Sequence, residues 1–439
     1  MNFKQVLHWM RHNPIAVGSA VICLVAIVFL LIVRSKGQDL VQQAQNRTQM
    51  IKRIESFNST TMSLPPEKVD GMPMVHYGAV NDAAIKSLQS TYSKMNEDYK
   101  KILELAERHN RGDANRGRHL PFFDGLFPDP GNRTYLIYDA IDPYQRAFTN
   151  MLGPSVEGEP YRLNAGGPVD RAVIDETAST AERSYRARTN IGSTETPTPN
   201  QLAQMAQEKQ RAVLDAIHQQ ARSIHIYATR ESFQIDPWPS NIATSTPKIE
   251  DIWESQLNLW IQQDIVQTIA RTNRVTNPEY NVIVAPIKRL NKIDIVPGYV
   301  GINTGGGITS HGAYGAPASG DSTLPDNFSV SPTGRLSNTI YDIRHVWVDM
   351  DVDIQQLPVF MDELVQTNFM SVLKVEMTDV NEYTLLSEGF FYGTADVVRI
   401  RMLIETLWLR SWTVQYMPKA VKELIGVPET APGSQASAR

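Results

Sequence analysis

The arrangement of apolar and polar positions divides this chain into unlike stretches. Pro14 to Val33 carries no charge over twenty residues and is apolar all the way round a helix. At about 1.5 Å per residue such a helix covers the roughly 30 Å hydrocarbon core of a bilayer. Beyond it the chain is mostly polar with periodic apolar positions. Asp39 to Phe57 reads as a helix with Leu40, Ala44, Ile51 and Ile54 at a/d spacing, and Ser63-Leu64-Pro65-Pro66 ends it. A second helix starts near Asn81, a residue suited to an N-cap. Its apolar residues Ile85, Leu88, Tyr92, Met95, Tyr99, Ile102 and Ala106 alternate at spacings of three and four, a three-heptad seam. Such a seam pairs with a partner helix or packs on its own domain.

Further along, Arg111 to Gly167 is rich in Pro, Gly, Asp and aromatics and reads as irregular, and Ile191 to Asn200 reads as a linker. Gln201–Arg222 and Lys248–Arg271 are expected helices, with Trp253 and Trp260 on one face of the second, as core or as a ligand platform. Strands are expected at Ser223–Ile235, Tyr280–Ile287 and Ile293–Val300. Gly301 to Gly334 reads as a flexible loop or linker.

The C-terminal stretch is the most regular. Val346, Val348, Met350 and Val352 alternate with His345, Asp349, Asp351 and Asp353, with Trp347 the exception, a half-buried strand. A helix follows, with Leu357, Phe360, Met361, Leu364 and Val365 on one face and Pro358 in its first turn. Two alternating runs come next, Leu373–Met377 and Val398–Trp408. The order β-α-β-β matches half or more of a ferredoxin-like α/β sandwich. The helix at Lys248–Arg271 with its two strands suggests a related second module. Leu403, Leu407 and Leu409 lie on the face away from the helix and need a cover, either Lys419–Ile425 or a partner.

The fold class expected is therefore α+β: an N-terminal transmembrane helix, a helical coiled-coil stalk and one or more C-terminal ferredoxin-like α/β modules. The expected segments are a cytoplasmic stub at 1–13, the span at 14–33, the stalk at 34–110 and an irregular region at 111–200. A middle α/β domain at 201–300, a loop at 301–334, the C-terminal domain at 335–426 and a tail at 427–439 complete the chain.

Charge and composition narrow the function. The net charge of −5 gives no electrostatic pull toward nucleic acid. The single cysteine, Cys23, lies within the apolar run, so the rest of the chain has no disulfide framework. Arg34-Ser35-Lys36-Gly37 follows the run where a cleaved signal would show small residues, which favours an uncleaved anchor over a removed signal. Lys4 and Arg11 before the run balance Arg34 and Lys36 after it; the long trailing portion favours a cytoplasmic N-terminus and an exported C-terminus. The nine histidines show no metal-binding spacing, and no nucleophile elbow or phosphate loop is present. Asp349, Asp351 and Asp353 share one strand face, where a cation or plain solvent contact would account for them; Asp353 also suits a helix cap. His225 and His345 read as ordinary semi-exposed residues. No catalytic residue, cofactor or metal is expected.

The span at Pro14–Val33, the seam at Ile85–Ala106 and the alternating module at Val346–Leu409 together resemble the PilO and GspM group. These are bitopic inner-membrane assembly proteins of type IV pili and type II secretion. The resemblance implies a single-pass inner-membrane protein with a periplasmic C-terminal domain, a structural rather than enzymatic role, and homo-oligomers or heterodimers with another single-pass membrane protein. Residues Asn110–Gly334 have no counterpart in that group. A membrane-tethered ligand- or cell-wall-binding module, with a pocket near Trp253 and Trp260, is the alternative, followed by a tethered hydrolase.

Overall fold

The computed structural model describes residues 10, 13–58, 61–64, 74–77, 82–112, 119–154, 161–192, 194–238, 247–276, 281–302 and 331–427. The chain forms two compact units, Met1–Ile102 and Leu103–Arg439.

In the first unit the apolar run and the following polar stretch are one helix, α1, Pro14–Asn58. Pro14 stands at its first position, where a missing N–H costs nothing. Sequence reading separated 14–33 from 39–57. The intervening Arg34–Gln38 holds only Gly37 as a weak breaker, about 1 kcal/mol against Ala, too little to interrupt a helix running on both sides. The apolar portion is long enough to cross a membrane, and its side chains are exposed. A short antiparallel pair follows, β1 (Thr61–Leu64) with β2 (Met74–Tyr77). The polar amphipathic helix α2 then runs from Asp82 to Arg111, its last residues belonging to the second unit.

The second unit is mixed α and β around one six-stranded sheet. Residues 119–134 are irregular, as expected, but α3 (Tyr135–Asp139) and α4 (Ile141–Leu152) follow where none was expected. Tyr144, Phe148 and Met151, spaced four and three apart, bury one face of α4. After β3 (Ala165–Gly166) come α5 (Arg171–Arg188) and α6 (Pro199–Ser223). They form a helical hairpin whose turn is the expected linker. Thr198 and Gln201 close a capping box, and Pro199 opens α6. Helix α5 is too poor in apolar residues to announce itself. The hairpin is tied by Arg186 and Lys209 on Glu182 and by Arg188 on Glu208.

Strand β4 is Ile226–Tyr227, shorter than the expected 223–235, because the chain turns at Arg230–Ser232. Helix α7 (Ile249–Thr276) is buried along most of its length. The two strands expected at 280–287 and 293–300 are one, β5 (Ile287–Ile295), kinked by register shifts; Tyr280 lies outside the described residues. Strand β6 (Tyr341–Asp353), α8 (Leu357–Thr367), β7 (Met370–Asp379), the short α9 (Glu382–Ser387) and β8 (Val397–Leu409) reproduce the expected strand–helix–strand–strand succession. Two short helices, α10 (Arg410–Thr413) and α11 (Lys419–Leu424), close the chain.

The sheet order is β3-β4-β5-β6-β8-β7. Strands β3, β4 and β5 are parallel, and the remaining neighbours are antiparallel. Residues 201–300 and 335–426, read from sequence as separate domains, thus share one sheet. The halves α7-β5-β6 and α8-β7-β8 join through the ladder of β6 on β8, paired end to end from Tyr341–Leu409 to Asp353–Val397. Each half alone would leave an apolar face and a bare strand edge in water; joined, they share one core. Helices α7 and α8 cover one face, over Val346, Val348, Met350, Ile400, Met402 and Ile404. Val421 of α11 and Ile425 pack into this same core. On the other face Leu403 is buried against Trp347 and Val296, so its cover comes from within the chain, while Leu407 and Leu409 belong to the same core as Val421 and Ile425.

Candidate assembly interface

The seam residues lie along one helix. Ile85, Leu88, Tyr92, Met95, Tyr99 and Ile102 of α2 are between 38% and 73% exposed, an uncovered apolar stripe. Ala106, the seventh, departs from the set: it packs against the core of the second unit. The exposed stripe therefore ends at Ile102 and Leu105, and the last turn of α2 serves another purpose.

That purpose is anchoring. Asn110 is buried and uses its whole amide group. Its Nδ2 donates to Asn368 Oδ1 (2.8 Å) and to the Leu407 carbonyl (2.7 Å). Its Oδ1 accepts from Leu409 N and from Trp412 Nε1, both at 2.8 Å. Asn368 donates onward to Asp264 Oδ2 (2.6 Å), and Asp264 Oδ1 meets His119 Nε2 at 2.8 Å. His119 Nδ1 returns to the Asn110 carbonyl at 3.1 Å, which closes a ring of buried polar groups between α2, α7 and α8. Both ring nitrogens of His119 face oxygen atoms, one a backbone carbonyl and one a carboxylate. Trp260, Trp408 and Trp412 surround it. Glu107 and His109 add a bond to Ser411 and an edge contact on Phe369. Sequence reasoning missed this ring, because its members lie up to 258 residues apart and no local spacing links them.

The acidic strand face holds an ion pair. Asp351 is fully buried, takes Arg399 through both oxygens (2.7 and 3.1 Å), and accepts from Tyr392 (2.7 Å) and Asn291 (2.9 Å). Burial, and then the Asp351 charge, hold the Tyr392 phenol well above its usual range. Asp349 shares Asn291, and burial raises its carboxyl. Asp353 caps the turn at Gln355. Solvent contact does not describe this face, and among the described residues no group of three or more His, Cys, Asp or Glu is placed to hold a metal.

His345 is buried, not semi-exposed as expected, and burial lowers its pKa, with Glu405 opposing. Its Nε2 lies 3.3 Å from Ser331 Oγ. Glu405, also buried, accepts from Ser331 and from Thr333 (2.7 Å) and pairs with Arg335 (2.8 Å). This ties the chain at 331–335 to the sheet; residues 303–330 of the expected loop lie outside the described residues. His225 is half-buried, with its pKa lowered by burial and then by Arg274.

Trp253 and Trp260 are buried in the main core, in edge contact at 5.8 Å, and form no platform. A cleft of about 150 Å³ lies elsewhere, at the ends of β3 and β4, lined by Gly167, Thr229, Arg289 and Phe390 among others. Arg289 rides on the Phe390 ring at 4.2 Å.

No family model matches the chain, and no curated protein matches it. Two solved structures are weakly similar. The type 4 fimbrial biogenesis protein PilO from Pseudomonas aeruginosa aligns at 11% identity and a TM-score of 0.18, over 39% of this chain and 90% of that one. A protein from Akkermansia muciniphila aligns at 10% identity and a TM-score of 0.23, over 62% of this chain and 96% of that one. Likeness at this level is a weak architectural resemblance and carries no argument about function.

Proposed function

We propose that the chain is a single-pass membrane protein with a structural role, which assembles through the α2 stalk and the α/β unit. The observation that carries this is the uncovered apolar stripe from Ile85 to Ile102 on a helix that follows a membrane-length apolar helix. A fully buried Leu, Ile or Met is worth roughly 1.5–3 kcal/mol over an exposed one, so an unpaired row of six is costly in water. The positions beside the seam, Gln89, Thr91 and Asn96, are uncharged, and Asp98 in the parallel arrangement meets Leu103. Two copies pair as a coiled coil without like-charge repulsion.

The α/β unit is the second element. Moving β8 to the front of α7-β5-β6-α8-β7 gives β-α-β-β-α-β, which supports a ferredoxin-like module entered at a different point. In this reading the N-terminus is cytoplasmic, the module is periplasmic on the inner membrane, and the protein serves a pilus- or secretion-type assembly. The buried carboxylates Asp264, Asp342, Asp351 and Glu405 are each engaged by a basic or amide side chain, which favours a structural over a catalytic role.

Sedimentation of the full chain in detergent micelles tests this. Wild type is expected to associate, and Tyr92→Lys/Tyr99→Lys to sediment as a smaller species with unchanged tryptophan emission. A wild-type chain that stays monomeric at high concentration overturns the proposal.

A further inference from the structure

Strand β7 ends the sheet. One edge pairs with β8, and among the described residues nothing pairs with the other. A ten-residue bare edge is an invitation to another strand unless its side chains forbid it. Here they favour one partner. The run Leu373-Lys374-Val375-Glu376-Met377 is symmetric in polarity and opposite in charge about Val375. We propose that β7 pairs antiparallel with β7 of a second copy, with the two-fold axis at Val375, to give one continuous twelve-stranded sheet.

In that register Val375 faces Val375, Lys374 of each copy faces Glu376 of the other, and Met377 meets the bulged Leu373. Lys374 and Glu376 already share one face, where they pair with each other within the chain. Two copies would therefore set four alternating charges side by side. A slip by one residue would put Lys374 opposite Val375 and forfeit both cross-strand pairs.

The helix layer carries independent support. Glu363 and Gln366 of α8 point toward Arg271 of α7. By helical spacing Met361 and Val365 lie on the opposite flank, the one toward the bare edge. Val365 is 59% exposed, and on the same face of β7 Met377 is 57% exposed. A two-fold axis normal to the sheet leaves the helices of both copies on one side. It brings the Met361–Val365 flanks together and covers these side chains.

The proposal deepens the assembly reading and rests on it only in requiring that the chain associate. The test uses the full chain with Cys23→Ser, in detergent, under mild oxidation. Residues opposite each other in antiparallel strands have Cα atoms about 4.5–5.5 Å apart, within disulfide reach. Val375→Cys is expected to cross-link to itself. Thr378→Cys, set about 20 Å from its counterpart by the same register, is expected to stay uncrosslinked. Lys374→Glu should weaken self-association about tenfold, since it removes both cross-strand pairs and creates two repulsions. Adding Glu376→Lys should restore it. An associating chain in which Val375→Cys stays uncrosslinked, or cross-links no better than Thr378→Cys, overturns this interface and leaves the stalk as the site of assembly. A monomeric chain overturns both proposals.

Discussion

Lys288 offers a measurable consequence of burial. It sits on β5 with about 1% of its surface exposed, and its ammonium donates to the Val282 (3.1 Å) and Ile283 (2.7 Å) carbonyls. Burial pushes its pKa down from 10.5 to about 8, against a smaller opposing pull from Asp353. The folded chain therefore releases this proton before the unfolded chain does. Between pH 8 and 10.5 the unfolded state binds more protons, so stability rises with pH across that window. The whole shift corresponds to about 3 kcal/mol at 1.36 kcal/mol per pH unit. From pH 7.5 to 9.5 the gain works out at about 2 kcal/mol, still below the ordinary tyrosine range near pH 10. Lys288→Met removes the titrating group, so wild type should gain this much over the variant across the interval. Urea unfolding at each pH, followed by tryptophan emission, reads the difference, because six of the seven tryptophans, Trp238 through Trp412, lie in the second unit. Wild-type and variant stabilities that run parallel from pH 7.5 to 9.5 would refute the reasoning.

Other outcomes follow from the same structure. Asn110→Ala leaves the Asn368 amide, the Leu409 N–H and the Trp412 indole without their acceptor or donor, and should cost about 2–4 kcal/mol in urea unfolding, against less than about 0.5 kcal/mol for the exposed Tyr92→Ala. His345 binds its proton less readily folded than unfolded, so stability should fall as pH drops below about 6.5, and His345→Gln should flatten that fall in acid-unfolding curves. Gly389 holds φ +89°, and an added Cβ would come 2.7 Å from the Val169 carbonyl; Gly389→Ala should lower stability by about 2 kcal/mol in thermal melts.

How much of this was legible in the sequence depended on whether the signal was local. The apolar run of α1, the heptad spacing of α2, the helix α7 and the alternation of β6 and β8 are each periodic over ten or more residues, and the structure holds an element at each. Where periodicity was short or weak, reading failed: α5 has too few apolar residues, β4 has two residues in place of thirteen, and β5 was split because its kinks resemble a turn. The heptad positions were legible as apolar, and six of them are exposed, but nothing local set Ala106 apart.

The sequence by itself determined the long periodic elements, α1, α2, α7, β6 and β8, and which faces they must hide, because burial of an apolar stripe depends on spacing of two or 3.6 residues and on nothing further away. Only the tertiary structure decided that two α-β-β halves close into one sheet, that Asn110 joins His119, Asp264 and Asn368, that Asp351 is paired with Arg399, and that β7 is left at an edge. Each of these depends on which distant residues meet. A hydrogen bond or strand pairing between residues a hundred or more apart leaves no periodic trace in the chain that makes it.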